Sequence, residues 1–567
     1  MDIKKIRASL GLTQQETADY LKISRRTYQY LEKVEEHEKS LKYDFFCDQL
    51  LKYNDDFLYS FNTNVVLGNK LSKFKESVSS YKKRFCYKHL INYLNNDNNK
   101  KVCILYGLRR TGKTTMIFQA LSDINIKEAA YIKIKETDNM SLLIKDINKL
   151  YDAGIKYLFI DEITLINDFI NTAATLPDIF CQMGMKIVLS GTDSLGFGFA
   201  DKDELYDRNI MIHTSYISFK EFSYVLDIND IDKYIEYGGT FKIENMGYDD
   251  PDFKNDEVSF KDIESTRKYI DSSISRNIQR SLKNNHFGAY FANLKELYEN
   301  QELTNVINRI LNNMNHDFLI SVINNKFESS DLGSSKQLLL HNQNKNIQNA
   351  LYDINHDEVI KKMTDILDIK EKDELNVKIT KNILIQVKTY LIMLDLIKDV
   401  EVRYSDGHKE MRTIFVQPGM RYSITKSLIY SLMEDEYFSN MAEKEKQFII
   451  EKIISDVKGR MLEDIVLLEE KLSNKDQFVF KYIDITKGEI DMVSFNKDFD
   501  NINVYEIKHS DKISYESQSR YLHDDTLLEP LIKRYGNIAN KIILYNGKTA
   551  KEKDILYKNV VEYLKEL

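Results

Sequence analysis

The stretch from Lys101 to Leu121 constrains this chain more than any other. Lys101-Val102-Cys103-Ile104-Leu105-Tyr106 is an apolar run suited to a buried strand. Gly107-Leu108-Arg109-Arg110-Thr111-Gly112-Lys113-Thr114-Thr115 follows, and Met116–Leu121 reads as an apolar helix. A strand that turns through such a loop into a helix can cradle a phosphate chain. The glycines let backbone N–H groups wrap the phosphates at a helix N-terminus. Lys113 would neutralise the β- and γ-phosphates, and the Thr114 hydroxyl would sit on Mg²⁺. Gly107, Arg109, Arg110, Thr111, Gly112, Lys113, Thr114 and Thr115 are the expected contacts, with ATP and Mg²⁺ as ligands.

A second apolar run, Lys156–Ile160, delivers the acidic pair Asp161-Glu162. Asp161 is expected to hold Mg²⁺ through water, and Glu162 to orient or polarise the attacking water. A third run, Lys186–Leu189, leads to Ser190-Gly191-Thr192-Asp193, where Ser190 either senses the γ-phosphate or only caps the strand.

The order of these pieces resembles AAA+-like ATPases of a prokaryotic family. The resemblance rests on the Arg-containing loop Gly107–Arg110, on Phe159-Ile160-Asp161-Glu162-Ile163 and on the Ser-Gly-Thr turn. Further matches are Asp207-Arg208, Ile217-Ser218-Phe219-Lys220-Glu221-Phe222 and Tyr237-Gly238-Gly239. The family usually carries Gly where this chain has Asp207. The resemblance implies that Arg208 is an arginine finger or sensor; a surface ion pair is the plainer alternative. A finger acting between copies leaves room for a homo-oligomer.

The N-terminus carries a different pattern. Ile3, Ile6 and Leu10 line one face of a first helix. Thr13-Gln14-Gln15-Glu16 is a capping box that starts a second. After a Lys22-Ile23 turn, Ser24 caps a third helix, Arg25–Glu32, with Tyr28 and Leu31 toward the core. Leu12–Ala18 and Ile23–Tyr28 resemble the Cro/repressor type of helix-turn-helix over about residues 1–53. That resemblance implies DNA contact through Arg25, Arg26, Tyr28 or Gln29, at base edges or phosphates. A small helical interaction module is the alternative, because acids there nearly balance the bases.

Residues 260–370 have long helical periodicity, and His286, His316, His341 and His356 are scattered without metal spacing. Asn342–Asn349 and Asp249–Asp252 read as loops or boundaries. From Ile379 a helix, a strand Val400–Tyr404, a Ser405-Asp406-Gly407 turn and a strand Arg412–Val416 read as a winged helix. Gln417-Pro418-Gly419 resembles the segment that closes this domain in the same ATPase family.

Further on, the helix Leu462–Leu472 precedes strands Gln477–Ile483, Gly488–Val493 and Val504–Lys508. Period-2 alternation puts Glu506 and Lys508 on one strand face, within reach of Asp491. Asp491 and Glu506 make a hard oxygen site for Mg²⁺, Lys508 can position a water, and Glu463 can support the metal from the helix. These residues resemble the PD-(D/E)xK nuclease fold in the variant that ends the same ATPase family. Ordinary salt bridges or a degenerate scaffold remain the alternative.

The chain has 567 residues, with Lys+Arg 80 against Asp+Glu 88 and a net charge of −8. That charge disfavours a non-specific DNA coat but not contact through a few small elements. The four cysteines (47, 86, 103 and 181) show no metal spacing and read as reduced thiols. No apolar run approaches the roughly 20 residues of a spanning helix. Met1–Lys5 leads into no apolar stretch. The expectation is therefore a cytoplasmic location with no membrane contact.

The expected fold is multidomain α/β. A helix-turn-helix spans 1–55, a parallel-sheet ATPase core 80–225, a helical region 226–375, a winged helix 376–425 and a nuclease-like α/β domain 426–567. The function expected first is a DNA-associated ATPase with a Mg²⁺-dependent nuclease domain, in defence or in maintenance of mobile DNA. The alternatives are an ATP-responsive transcriptional regulator with an inert nuclease fold, and a signalling or scaffold ATPase that never touches DNA.

Overall fold

The computed structural model describes residues 3–567 apart from 10–11, 35–39, 52–60, 194–195, 198–203, 242–258, 284–290, 329–378, 474, 485 and 497–500. Leu10, Asp249–Asp252, Asn342–Asn349, His286, His341 and His356 lie outside the described residues.

Helices α1 (Ile3–Ser9), α2 (Gln14–Tyr20), α3 (Arg25–Leu31) and α4 (Leu41–Leu51) form the N-terminal unit. Thr13 and Glu16 make the reciprocal cap of α2, and the Ser24 side chain caps α3 by accepting from Thr27. Lys22 takes φ 54° and turns the chain between them. Ile3, Ala18, Tyr28, Leu31, Cys47 and Leu50 close the small core.

The next sheet has the order β1-β3-β4-β5-β2-β6. Its strands are β1 (Asn64–Val66), β2 (Val102–Tyr106), β3 (Ala129–Lys133), β4 (Tyr157–Asp161), β5 (Lys186–Gly191) and β6 (Asn209–His213). All pairs are parallel except β1 with β3. The central strands are almost wholly buried and mostly apolar because both faces are covered. β1 belongs to this sheet, so the core begins before residue 80. Asp146 secures that edge by accepting from the backbone N–H groups of Asn62 and Thr63. A three-residue edge strand is too short to show periodicity in the sequence.

Beyond residue 258 the described middle is helical, including Ile263–Ile270 and Leu303–Glu328, and His316 is buried there. The C-terminal sheet has the order β13-β14-β12-β11-β10-β9-β7-β8. It comprises β7 (Ile397–Tyr404), β8 (Lys409–Phe415), β9 (Gln477–Asp484), β10 (Gly488–Asn496), β11 (Asn501–Lys508), β12 (Asn537–Tyr545), β13 (Ala550–Glu552) and β14 (Ile555–Asn559).

The helix and hairpin expected as a winged helix over 376–425 are present, but the hairpin is not a free wing. β7 pairs in parallel with β9, so β7 and β8 are the edge of the C-terminal sheet. Their Val400 and Ile414 share a core with Met461, Leu462 and Ile465. Pro418 opens a helix, Pro418–Leu432, rather than closing a domain.

Helix α5 (Lys113–Ala120) packs against the first sheet, and α6 (Phe219–Leu226) and α7 (Glu443–Ser473) link that region to the C-terminal sheet. The last is 31 residues long and begins well before the expected Leu462. Its Asp464 meets Arg412 at 2.5 Å and Arg421 at 3.1 Å. Its Glu469 accepts the backbone N–H of Phe219 at 2.6 Å and the Tyr234 hydroxyl at 3.2 Å. A carboxyl from the C-terminal half thus satisfies the open N-terminus of α6.

Burial pushes the Glu469 carboxyl up to about 8. Between its unfolded value and 8 the folded state holds the extra proton, so stability falls as pH rises across that range. Glu469→Gln keeps a neutral acceptor and removes that slope. Thermal unfolding from pH 5 to 9 should show the variant gaining on the wild type toward alkaline pH, by on the order of a few kcal/mol. Parallel pH profiles would contradict this.

Candidate nucleotide site and carboxylate cluster

The phosphate loop sits at the C-terminal edge of β2 because two glycines turn it there. Gly107 has φ +143° and Gly112 φ +85°. A Cβ on Gly107 would lie 2.6 Å from Thr214 Oγ1, so the loop and the end of β6 press together. Leu108 N–H donates to Ser215 Oγ at 2.9 Å, and the Thr111 hydroxyl bonds Leu108 O at 2.8 Å.

Sequence reasoning missed the group that fixes this loop. Arg84 is buried and donates to the carbonyls of Thr111 and Thr214 at 2.7 Å each and of Tyr216 at 3.0 Å. Its remaining N–H groups meet both oxygens of Glu221, at 3.0 and 2.7 Å. Glu221 lies on α6, in the segment Ile217–Phe222 that carried the family resemblance. A lone Arg has no pattern to betray it. The loop's far side is closed by the Tyr269 hydroxyl, which donates to Arg109 O at 3.2 Å and accepts from Gln417 at 2.9 Å. Gln417 also reaches Gly239 O at 2.9 Å, and Gly419 N–H donates to Gly238 O at 3.1 Å. Tyr237-Gly238-Gly239 and Gln417-Pro418-Gly419 thereby interlock behind the loop. Arg110 takes φ 62° and donates to Ser259 at 3.0 Å.

Lys113 is buried, and its Nζ donates to the carbonyls of Gly107 and Leu108 at 2.9 and 2.8 Å. Burial pulls its ammonium down to about 8, against the opposing charges of Glu162 and Asp161. The Thr114 hydroxyl donates to Asp161 Oδ2 at 3.1 Å, so the two expected Mg²⁺ residues are adjacent. Burial favours a neutral Asp161. Lys133 at 2.8 Å, with donors from Ser190 and Tyr131, outweighs that and holds the carboxyl below its ordinary value. Ser190 therefore orients Asp161. Glu162 follows in the left-handed region at φ 62°, a conformation that costs energy in a non-glycine residue. Thr115 is half-buried on α5.

Arg208 lies away from the phosphate loop of its own chain. It precedes β6, whose Asn209 pairs with Val102 at the start of β2, whereas the loop follows Tyr106 at the strand's end. A five-residue strand, roughly 15 Å, separates it from the same chain's phosphates. Its Nε pairs with Asp178 at 3.0 Å. Asp207 bonds Lys101 instead.

In the C-terminal sheet, β10 and β11 bring Asp491 and Glu506 side by side. Lys508 Nζ lies 2.6 Å from Glu506 and 3.5 Å from Asp491. Burial pushes the Glu506 carboxyl up to about 8, and one of its oxygens is buried without a hydrogen-bond partner among the described residues. Burial pulls Lys508 down, but the charges of Glu506 and Asp491 outweigh it and raise the ammonium. Glu463 comes in from α7. The three acids whose oxygens lie within 4.8 Å of one another are Glu463, Glu489 and Asp491. Glu489 was missed, although its i,i+2 spacing from Asp491 on one strand was a readable sign. Lys481, from β9, was missed as well.

On α3, Arg25 and Arg26 are exposed and Gln29 is half-buried, bonded to Gln14 at 3.1 Å. Tyr28 is not available to DNA. It is fully buried, with its hydroxyl on Ile3 O, because it fills the core of a unit of only a few short helices. Tyr30, 68% exposed, is the aromatic that faces outward.

Residues 99–223 match the AAA domain family. Residues 3–35 match the helix-turn-helix family. The chain thus carries an AAA-type ATPase domain behind an N-terminal helix-turn-helix. It is 23% identical over 268 residues to the uncharacterized protein MJ1544 of Methanocaldococcus jannaschii, a match covering 42% of this chain and 59% of that protein. Two solved structures are similar in part. The Aeropyrum pernix ORC1 protein in complex with DNA has a TM-score of 0.21 at 11% identity, covering 65% of this chain and 98% of that one. The S. cerevisiae Hsp104–ADP complex has a TM-score of 0.23 at 12% identity, covering 74% and 58%. With TM-scores this low, the character of the core rests on the family match and the loop geometry.

A phosphate chain favours the charged form of Lys113, so its binding weakens once that lysine is neutral. ATP affinity, followed by fluorescent-nucleotide displacement, should fall by up to tenfold per pH unit above about 8 and be lost in Lys113→Ala. Unchanged affinity from pH 7 to 9.5 would contradict this.

Proposed function

We propose that this chain hydrolyses ATP with Mg²⁺ and acts on DNA, with a C-terminal domain built as a metal-dependent nuclease. The observation that carries the ATPase reading is the placement, at the sheet's C-terminal edge, of Lys113 on the loop carbonyls next to the bonded pair of Thr114 and Asp161. Lys113 leaves the two loop carbonyls for the β- and γ-phosphates, and the loop N–H groups take the remaining charge. The oxygens of Thr114 and Asp161 suit Mg²⁺, which would offset charge on the transferring phosphoryl group. Glu162 orients and polarises the attacking water. Arg208 can serve only a second copy's nucleotide, which is why a homo-oligomer belongs to this reading.

DNA contact is assigned to exposed Arg25 and Arg26 on α3, supported by the helix-turn-helix match. The nuclease reading is supported by four carboxylates, Glu463, Glu489, Asp491 and Glu506, converging with Lys508. Hard carboxylate oxygens fit Mg²⁺, which would offset charge on a phosphodiester, while Lys508 positions the water. A cytoplasmic site of action is part of the proposal. Among the described residues no helix is long and apolar enough to cross a membrane.

One observation favours a second reading, an ATP-responsive regulator with an inert nuclease fold: Lys481 places an ammonium among these carboxylates.

Glu162→Gln should keep ATP binding while lowering kcat by about 100-fold or more in a phosphate-release assay. Undiminished turnover would remove Glu162 from the chemistry. On duplex and single-stranded DNA, Mg²⁺-dependent cleavage should vanish in Asp491→Ala and Lys508→Ala. Binding at low salt should instead depend on Arg25 and Arg26. A wild type that binds but never cuts, with or without ATP, would leave the regulator.

A further inference from the structure

Lys481 lies at the middle of β9, and its side chain is 1% exposed. Its Nζ is 2.8 Å from Glu489, 3.3 Å from Glu463 and 3.5 Å from Asp491. Those are the same three acids whose oxygens lie within 4.8 Å of one another. An ammonium carries three donors and no acceptor, so one lysine matches three carboxylates. A second cation, Arg460, adds its guanidinium to Glu463.

The oxygens here close around a nitrogen, with those of Glu489 and Glu463 at hydrogen-bonding distance and that of Asp491 at 3.5 Å. Mg²⁺ requires oxygens at about 2.0–2.1 Å and octahedral order. An ion in this cluster would have to draw the carboxylates inward by the order of 1 Å. It would also face a positive charge only a few ångströms away, where little water screens the repulsion. Lysine, unlike arginine, is a point charge on a flexible four-carbon stem that can swing out of such a site.

We propose that the Lys481 ammonium is the resident cation of this cluster, and that a divalent cation enters only by displacing it. Glu489 is then the residue shared between the two states, holding the lysine in one and lining the ion in the other. Lys481 is a positioning residue, which sets how readily the site takes metal and so restrains the domain until metal or a bound strand shifts the balance. The inference rests on the reading of this cluster as a divalent-cation site, but its readout is binding rather than cleavage.

The test is a titration of the full chain with Mn²⁺ in the absence of nucleotide, with free Mn²⁺ read by electron paramagnetic resonance. Only binding that Asp491→Ala removes is counted. Lys481→Met should bind Mn²⁺ at least tenfold more tightly than the wild type. Equal or weaker binding, or none in either protein, overturns the proposal and leaves Lys481 a structural ion-pair partner. Should Lys481→Met fail to fold, pulse acetylation of the wild type decides. Saturating Mn²⁺ should raise labelling of Lys481 at least threefold by mass spectrometry. Unchanged labelling overturns the proposal. Metal-dependent cleavage with unaltered Mn²⁺ affinity in Lys481→Met would keep the nuclease reading and sink this one. Tighter Mn²⁺ binding without cleavage would do the reverse.

Discussion

The buried pair of Arg84 and Glu221 is the interaction on which the rest of the molecule depends. A guanidinium has five N–H donors and cannot shed its charge, so burial is tolerable only if all are met. Here they are met by both Glu221 oxygens and by the carbonyls of Thr111, Thr214 and Tyr216. The pair therefore ties three separate pieces of chain: the phosphate loop, the exit of β6 and helix α6. Removing one partner would strand a buried charge, which typically costs about 3–5 kcal/mol. The loop owes its shape to this pair as much as to its glycines.

From α6 the connection continues by direct contact. Its first N–H is satisfied by Glu469 of α7, and α7 carries Asp464 between Arg412 and Arg421 and Glu463 in the carboxylate cluster. The two candidate sites are thus mounted on one frame. Direct contacts through α6 and α7 thus connect the phosphate loop with the carboxylate cluster.

The two sites hold their charge in opposite ways. Lys113 rests on neutral carbonyls, so a phosphate chain offers it a better partner. The C-terminal carboxylates already have cations in place from Lys481, Lys508 and Arg460. One site is poised for its ligand; the other has to give something up to accept one.

The local chemistry is legible in the chain order alone: the glycine loop after an apolar strand, the acidic pair ending another, the capped helices at the N-terminus and the alternation of Glu506 and Lys508. Each is written within a few residues, where strand and helix periods and glycine dihedrals operate. Which distant pieces meet is settled by folding. It buried Tyr28 in the helix-turn-helix core, set Arg208 at the wrong end of the sheet for its own nucleotide, and merged the expected wing into the C-terminal sheet. It also supplied Arg84, Glu489 and Lys481, whose roles come from partners remote in the chain or on a neighbouring strand. An isolated charge in a chain that is 30% charged has no signature of its own. Its meaning depends on which opposite charge folding places beside it and on how much water is left between them.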